Sequence, residues 1–187
     1  MNYKYIQRNK NHKISAYIRE AYDALSNLDY FIEQQFEESE LYQVFLEDLP
    51  PTDNLENKET LIWDICAIAG DFFNQTKSKN IRVQLMVVST DKCRLFHMDH
   101  NTQRLLCTYS GPGTEWLDSD NINYDELGKG NNAKIVNDLS RINKAQEFDI
   151  LTLKGKLFAP NYLGAVHRSP PITTSGVKRV LLKIDEC

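Results

Sequence analysis

The sequence comprises 187 residues, of which 41% are hydrophobic and 26% are charged, and its formal net charge is −4. These values indicate one globular domain over residues 1–187 with a buried core, and they exclude a disordered or fibrous chain. Because no block of five or six lysines and arginines occurs, nucleic acid and anionic membranes are not expected partners. The expected substrate is therefore a small molecule or a protein.

The N-terminal segment, MNYKYIQRNKNHK, is too polar to contain the apolar core of a secretory signal, and no later apolar run has the length of a bilayer span. We therefore expect a cytoplasmic protein. No two of the four cysteines have the short spacing of a zinc knuckle or a redox pair. Free thiols are expected in a reducing compartment.

Three helices are predicted in the first part of the chain. Apolar residues recur at intervals of three and four from Ile14 to Leu28, which is the pattern of an amphipathic helix. An acidic stretch from Asp29 to Leu49, ended by two prolines, is predicted as a second helix. A third is predicted over Glu59–Lys79. Residues 1–80 are thus predicted to form a helical N-terminal part that precedes any strand.

The period changes to strict alternation at Ile81, which predicts the first strand. Residues 81–187 are predicted to form a β-rich, metal-binding core. A helical lead followed by about six short strands predicts an α+β fold, in which a β-sandwich or barrel has the helices packed against one sheet. The further extended runs are Cys93–Asp99, Arg104–Tyr109, Phe148–Leu153, Leu163–His167 and Val177–Asp185.

Three residues are candidate metal ligands. In an extended backbone, His97 and Asp99 point to the same face, because side chains alternate with period two. Of the remaining histidines, His12 lies in a polar tail and His100 is adjacent to Asp99, so His167 is the expected third ligand. Two imidazoles and one carboxylate leave coordination positions open for substrate and oxygen, as in non-heme iron(II) sites.

The tripeptide alone is weak support for a metal site. With 4 His and 14 Asp in 187 residues, chance gives about 0.3 matches to His-x-Asp. The context strengthens the hypothesis, because His97 and His167 each fall in a predicted strand.

Several further residues are candidates for binding a co-substrate or substrate. Arg179 and Lys178 lie on the last predicted strand, where a cation could pair with a carboxylate, and periodicity does not choose between them. Tyr109 could donate a hydrogen bond to a bound carboxylate. Glu115 and Trp116 follow a glycine-rich turn that could form the rim of a pocket, so both are candidate substrate contacts.

Two long strings carry a resemblance to a known family. FHMDHNTQRLLCTYSGPGTEWL, at residues 96–117, and GAVHRSPP, at residues 164–171, resemble a bacterial family catalogued as domain of unknown function number 1826. The resemblance extends from the helix that contains Trp63 and Asp64 to Asp185, about two-thirds of the chain. It implies no established activity, although genes of similar proteins can lie near zinc-homeostasis genes.

At a coarser level, the pattern His-x-Asp, a distant His and a later Arg resembles the iron(II)- and 2-oxoglutarate-dependent dioxygenases. This resemblance implies a double-stranded β-helix of the jelly-roll or cupin type, with Fe(II) held by His97, Asp99 and His167. It also implies Arg179 as the anchor of the co-substrate carboxylate and Tyr109 as a second contact. The turn that follows His167 departs from the pattern, and its Arg168 could compete as the anion-binding group.

These observations leave three hypotheses for function. The first is an oxygenase that uses Fe(II) and 2-oxoglutarate on an unknown substrate. The second is a non-redox zinc protein linked to metal homeostasis, in which Cys93 or Cys107 completes a tetrahedral site. The third is a cupin-like isomerase or hydrolase that uses the same three ligands without oxygen.

Overall fold

A computed structural model describes residues 1–33, 37–173 and 176–187 of the chain. Within these ranges it contains two antiparallel sheets and four α-helices. The helices are α1 His12–Ala21, α2 Glu38–Asp48, α3 Leu55–Thr76 and α4 Asn132–Ile135. The strands are β1 Tyr3–Ile6, β2 Leu28–Glu33, β3 Asn80–Val88, β4 His97–Met98, β5 Gln103–Ser110, β6 Glu115–Trp116, β7 Asn143–Lys144, β8 Ile150–Lys154, β9 Val166–Arg168 and β10 Arg179–Glu186.

The strands form a main sheet and a small sheet. The main sheet has six strands in the order β1-β8-β5-β10-β3-β2, and the small sheet has four strands in the order β4-β9-β6-β7. Neighbouring strands pair antiparallel throughout both sheets. The predicted α+β class is therefore correct.

One face of the main sheet packs against α1 and α3, as predicted for the N-terminal helices. On β10, Val180, Leu182 and Ile184 belong to the core that these helices share with the sheet. Because side chains alternate along a strand, Leu181 points to the opposite face. Both faces of the main sheet are therefore covered.

The small sheet covers that opposite face. Trp116 of β6 packs there against Leu106 and Leu181 of the main sheet. On its outer side, the small sheet is covered by the segment 117–142, whose Leu117 and Ile135 share a third apolar cluster with neighbouring residues. The molecule thus has four layers, and a cavity lies between the two sheets.

The prediction that three helices precede any strand is wrong. Helix α1 ends at Ala21, and residues 28–33, which were assigned partly to each of the first two predicted helices, form β2. In β2, Leu28, Tyr30 and Ile32 alternate with more exposed residues and pack against the helical core. Residues 34–36 of the predicted second helix lie outside the described residues.

The polar N-terminal segment also contributes a strand. Strand β1 pairs with β8, with Tyr3 opposite Leu153 and Tyr5 opposite Leu151. Residues 1–80 therefore contain two strands of the main sheet besides helices α1 to α3. In the described parts of the chain, no helix is long and apolar enough to cross a membrane.

Candidate metal centre

The two predicted histidine ligands lie on adjacent strands of the small sheet. His97 of β4 is directly opposite His167 of β9, and their ring centroids are 4.6 Å apart. Asp99 follows β4 and shares the inward face with His97, as the alternation predicted. Only residues 97 and 98 of the predicted run Cys93–Asp99 form a strand. The pairing of β4 with β9 thus brings the three predicted ligands together.

The distances suit a single cation. Asp99 Oδ1 lies 3.3 Å from His97 Nε2, and Asp99 Oδ2 lies 3.3 Å from His167 Nε2. One ligand atom from each of the three residues lies within 4.8 Å of the others. Within the described ranges, these are the only residues found in such a group of histidine, cysteine or acidic side chains.

The backbone fixes which ring nitrogen of each histidine is free. His97 Nδ1 lies 2.8 Å from the carbonyl oxygen of Leu95, and His167 Nδ1 lies 3.1 Å from that of Ala165. A carbonyl oxygen only accepts hydrogen bonds, so Nδ1 donates in both rings and the neutral imidazoles offer Nε2 to a metal. With the Asp99 carboxylate, this donor set fits a divalent transition metal such as Fe(II).

A second layer of charge holds the carboxylate ligand. Arg104 donates to Asp99 Oδ2 from Nη1, and it donates to both carboxylate oxygens of Asp185, at 2.6 and 3.0 Å. Burial alone raises the pKa of Asp99, but without a metal the protonated rings of His167 and His97 donate to it from Nε2, and these bonds and the charge of Arg104 hold that pKa well below its ordinary value. Asp99 is therefore an anion at neutral pH.

A cavity of about 430 Å³ lies between the sheets and is lined by both histidines. Its floor is the main sheet, through residues such as Met86, Leu106 and Leu181, and Thr114 and Ser169 line it from the other side. This size is within the range of small-molecule sites. Four cations also line the cavity: Lys92, Arg104, Arg168 and Lys183.

Arg179 lies behind the wall that Thr114 and Ser169 form, and it is fully buried, with 0% exposure. Its guanidinium donates to Ser169 Oγ at 3.3 Å and to Thr108 Oγ1 and Thr114 Oγ1 at 3.2 Å each. Its Nε has no partner, and no carboxylate of the described residues pairs with it. Burial lowers the pKa of Arg179 to about 10, so the side chain remains a cation at neutral pH.

The other two candidate anion anchors are placed differently. Lys178 points toward α1, where its ammonium lies 5.0 Å from the ring centre of Tyr22 and 3.5 Å from Asp23 Oδ1. It does not reach the cavity. Arg168 does line the cavity, but its Nε donates to Glu115 Oε2 at 2.6 Å. Of the three, Arg179 is the one that lacks a carboxylate partner in the described structure.

Tyr109, Glu115 and Trp116 are not brought to the cavity. Tyr109 shares the helix-facing side of β5, where its hydroxyl donates to Asp64 Oδ2 at 2.7 Å. Trp116 is packed between the sheets against Tyr3 and Tyr5, with ring centroids 5.4 and 5.0 Å away. The turn at residues 111–113 leads into β6, which is paired on both sides. This turn and Glu115 line a separate cavity of about 780 Å³, so the predicted pocket rim is present but does not belong to the cavity of the histidines.

The cysteines do not complete a tetrahedral site. Cys107 belongs to the helix-facing core, on the opposite side of the main sheet from the histidines. Cys93 lines the cavity, but it does not belong to the group of ligand atoms around Asp99. The site is thus built from nitrogen and oxygen donors.

Sequence reasoning missed the residues that support the site. Arg104, Lys183 and Asp185 form a linked set of charges beside Asp99, and Thr108 and Thr114 hold Arg179. The available signal was the presence of charged residues inside strands that are otherwise strongly apolar.

Comparison with solved structures finds a similar fold. The crystal structure of the dioxygenase for auxin oxidation in rice matches with a TM-score of 0.50 and 10% identity, over 100% of this chain and 73% of that chain. The dioxygenase for auxin oxidation 1 from Arabidopsis thaliana, in a 2-oxoglutarate complex, has a TM-score of 0.44 and 9% identity, over 95% and 73%. The Fe(II)/alpha-ketoglutarate-dependent dioxygenase TqaL has a TM-score of 0.39 and 11% identity, over 94% and 89%.

Sequence comparison extends the resemblance noted above. No curated protein matches the chain. A sequence model of the family described as "Protein of unknown function (DUF1826)" matches residues 1–185. The match thus reaches further toward the N-terminus than the two-thirds of the chain expected from the sequence motifs.

Proposed function

This chain belongs to the DUF1826 family, and we propose that it is a non-heme iron(II)- and 2-oxoglutarate-dependent oxygenase. One observation carries the proposal: His97 and His167 of the ligand cluster line the cavity, and the buried cation Arg179, which has no carboxylate partner among the described residues, lies directly behind its wall, bonded to Thr114 and Ser169. A metal and a cation at a fixed separation are what a dicarboxylate co-substrate requires.

The separation between the metal site and Arg179 can be judged from the backbone that continues from β9. Ser169, which accepts a hydrogen bond from Arg179, is two residues beyond His167. Two residues of extended chain span about 7 Å. A five-carbon dicarboxylate is long enough to place one end at the metal and the other at Arg179. A co-substrate of the length of 2-oxoglutarate can span a separation of this order, which supports the proposal.

Each side chain has a distinct task in this proposal. His97, Asp99 and His167 hold the metal, and Arg104 keeps the Asp99 carboxylate oriented and charged. Fe(II), when bound, supplies the oxidative chemistry that side chains lack. Arg179 binds the distal carboxylate through charge-assisted hydrogen bonds.

The architecture supports the same proposal. We infer that the main and small sheets, which enclose the cavity face to face, are the two halves of a double-stranded β-helix of the jelly-roll type. The likeness in fold to the rice dioxygenase supports this inference. We further infer that the prime substrate is a small molecule, because the cavity has the size of a small-molecule site.

The proposal is tested by adding Fe(II) and then 2-oxoglutarate to the metal-free protein without oxygen. A visible charge-transfer band should develop on addition of 2-oxoglutarate. His97→Ala, Asp99→Ala and His167→Ala should each abolish iron binding, measured by elemental analysis after gel filtration. His12→Ala is the matched control, because His12 lies on α1, outside the ligand group.

Other outcomes contradict the proposal in different ways. Unchanged iron affinity in the three variants would show that His97, Asp99 and His167 do not bind the metal. Tightly held zinc with no visible band would indicate a non-redox metal protein. Substrate turnover without consumption of 2-oxoglutarate would indicate the isomerase or hydrolase.

A further inference from the structure

The inward face of β10 carries two cations, Lys183 in the lining of the cavity and Arg179 behind its wall. Arg179, Leu181 and Lys183 alternate along this face, with Leu181 packed in the apolar cluster between the sheets. Arg179 and Lys183 are four residues apart, which is about 13 Å along an extended strand. The Arg179 end is assigned above to 2-oxoglutarate, whereas the Lys183 end has no assigned ligand.

The lining of the cavity has the opposite charge to the rest of the chain. The protein as a whole has 26 acidic and 22 basic residues. Four cations line the cavity, and no aspartate or glutamate is found among its described lining residues. At the Lys183 end, Arg104 and Lys183 share the carboxylates of Asp99 and Asp185, which lie behind the lining, and a dicarboxylate co-substrate held between the metal and Arg179 occupies neither cation.

Lys183 is available to bind a ligand. Its ammonium lies 3.3 Å from Asp185 Oδ2, and its side chain is 20% exposed. Asp185 already accepts two hydrogen bonds from Arg104, at 2.6 and 3.0 Å. Because Arg104 binds both carboxylate oxygens of Asp185, the ion pair between Lys183 and Asp185 is weaker than the one between Arg104 and Asp185. A lysine ammonium has three donors, and this contact uses at most one of them.

We propose that the prime substrate is a small organic anion with an apolar body, and that Lys183 binds its acidic group. The identification of this anion as the substrate rests on the proposed function, whereas the anion site itself does not depend on it. An acidic group at Lys183 places the rest of the molecule over the apolar floor of Met86, Leu106 and Leu181. That floor lies between Lys183 and the wall in front of Arg179, beside both histidines.

The test compares acids with neutral molecules of the same shape. The probes are phenylacetate against phenylacetamide and hexanoate against hexanamide, titrated by calorimetry into oxygen-free protein saturated with Fe(II) and 2-oxoglutarate. Saturation with 2-oxoglutarate occupies the Arg179 end. Each acid should bind about tenfold more tightly than its amide, because it gains a charge-assisted hydrogen bond.

The preference for the acid over the amide should depend on the side chain of Lys183. Lys183→Gln should remove the acid preference while the 2-oxoglutarate band is retained. Lys178→Gln is the matched control, because Lys178 lies near α1 and outside the cavity, and it should keep the preference.

Three results would overturn the inference: equal affinity for acid and amide, an acid preference that survives in Lys183→Gln, or no binding of either acid at about 10 mM. Failure of the proposed function is distinguishable from these results. It would show as a missing 2-oxoglutarate band in the unchanged protein, while an acid preference that depends on Lys183 would still establish the anion site.

Discussion

The half-buried Arg8 and the fully buried Arg179, on opposite sides of the main sheet, have opposite electrostatic surroundings. On the helix side, Arg8 Nη2 lies 2.8 Å from each oxygen of Asp64, which also accepts a hydrogen bond from Tyr109. On the cavity side, Arg179 contacts only hydroxyl groups among the described side chains. Burial lowers the pKa of both arginines, but Asp64 reverses the effect for Arg8, whose pKa is raised.

This difference distinguishes a charge that stabilises the fold from a charge that is available to bind a ligand. A buried cation with its own counter-ion is satisfied within the fold, and removing it leaves the partner carboxylate unpaired. A buried cation without a counter-ion is unfavourable in the free protein, and it is compensated only when an anion enters. Arg8 therefore stabilises the fold, whereas the proposed function gives Arg179 the role of binding a ligand.

The largest expected effect follows from Arg179→Met. The affinity for 2-oxoglutarate should fall by about 100-fold, because charge-assisted hydrogen bonds to the distal carboxylate are lost. The free energy of unfolding of the ligand-free protein should not fall, since an unpaired buried charge is removed. Anaerobic titration of the charge-transfer band and urea denaturation measure the two quantities. An affinity within a few-fold of the unchanged protein would reassign the anchor.

A smaller effect, of the opposite kind, is expected from Arg8→Met. Asp64 would keep only its hydrogen bond from Tyr109, so the free energy of unfolding should fall by about 2 kcal/mol. The affinity for 2-oxoglutarate should not change. Lys10→Met is the matched control, because Lys10 forms its ion pair with Glu147 at a more exposed position. Unchanged stability in urea would mean that the pair between Arg8 and Asp64 does not stabilise the fold.

The smallest effect is expected from Arg82→Met, which removes the exposed pair with Asp29. Solvent screens such a pair, so the loss of stability should be well below that of Arg8→Met. A hydrogen bond from Arg82 lowers the pKa of Asp29. The contribution of the pair should therefore be present above the ordinary carboxyl pKa and disappear as pH falls through the lowered value. Urea denaturation across pH should show the two proteins converging in acid; a constant difference would contradict this.

The sequence alone was sufficient to predict the arrangement of the three candidate ligands. Alternation places His97 and Asp99 on one face, and few other histidines were available, which left His167. The choice between Arg179 and Lys178 could not be made in the same way. Strand β10 is covered on both faces, so apolar residues occupy both sets of alternating positions and the pattern does not reveal which face meets the cavity.

The errors in the fold have a related cause. Strand β2 does alternate, but it is only six residues long and is joined in sequence to an acidic helix, so the helical pattern masked it. Strand β1 is held by pairing with β8, about 150 residues away in the chain, and such distant pairing leaves little local signal. Tyr109 and Trp116 were assigned to a pocket because the distribution of residues between the two faces was unknown.

Strand β4, which carries His97, is two residues long and lies at the edge of the small sheet. The main sheet and its helical layer do not depend on it, so this edge can open locally while the rest of the fold stays intact. Together with the proposed function, this predicts that the chain folds first and that the metal is inserted last. A bound metal would hold this edge in place. The structural difference between the metal-free and metal-bound protein should therefore be concentrated at this one short edge.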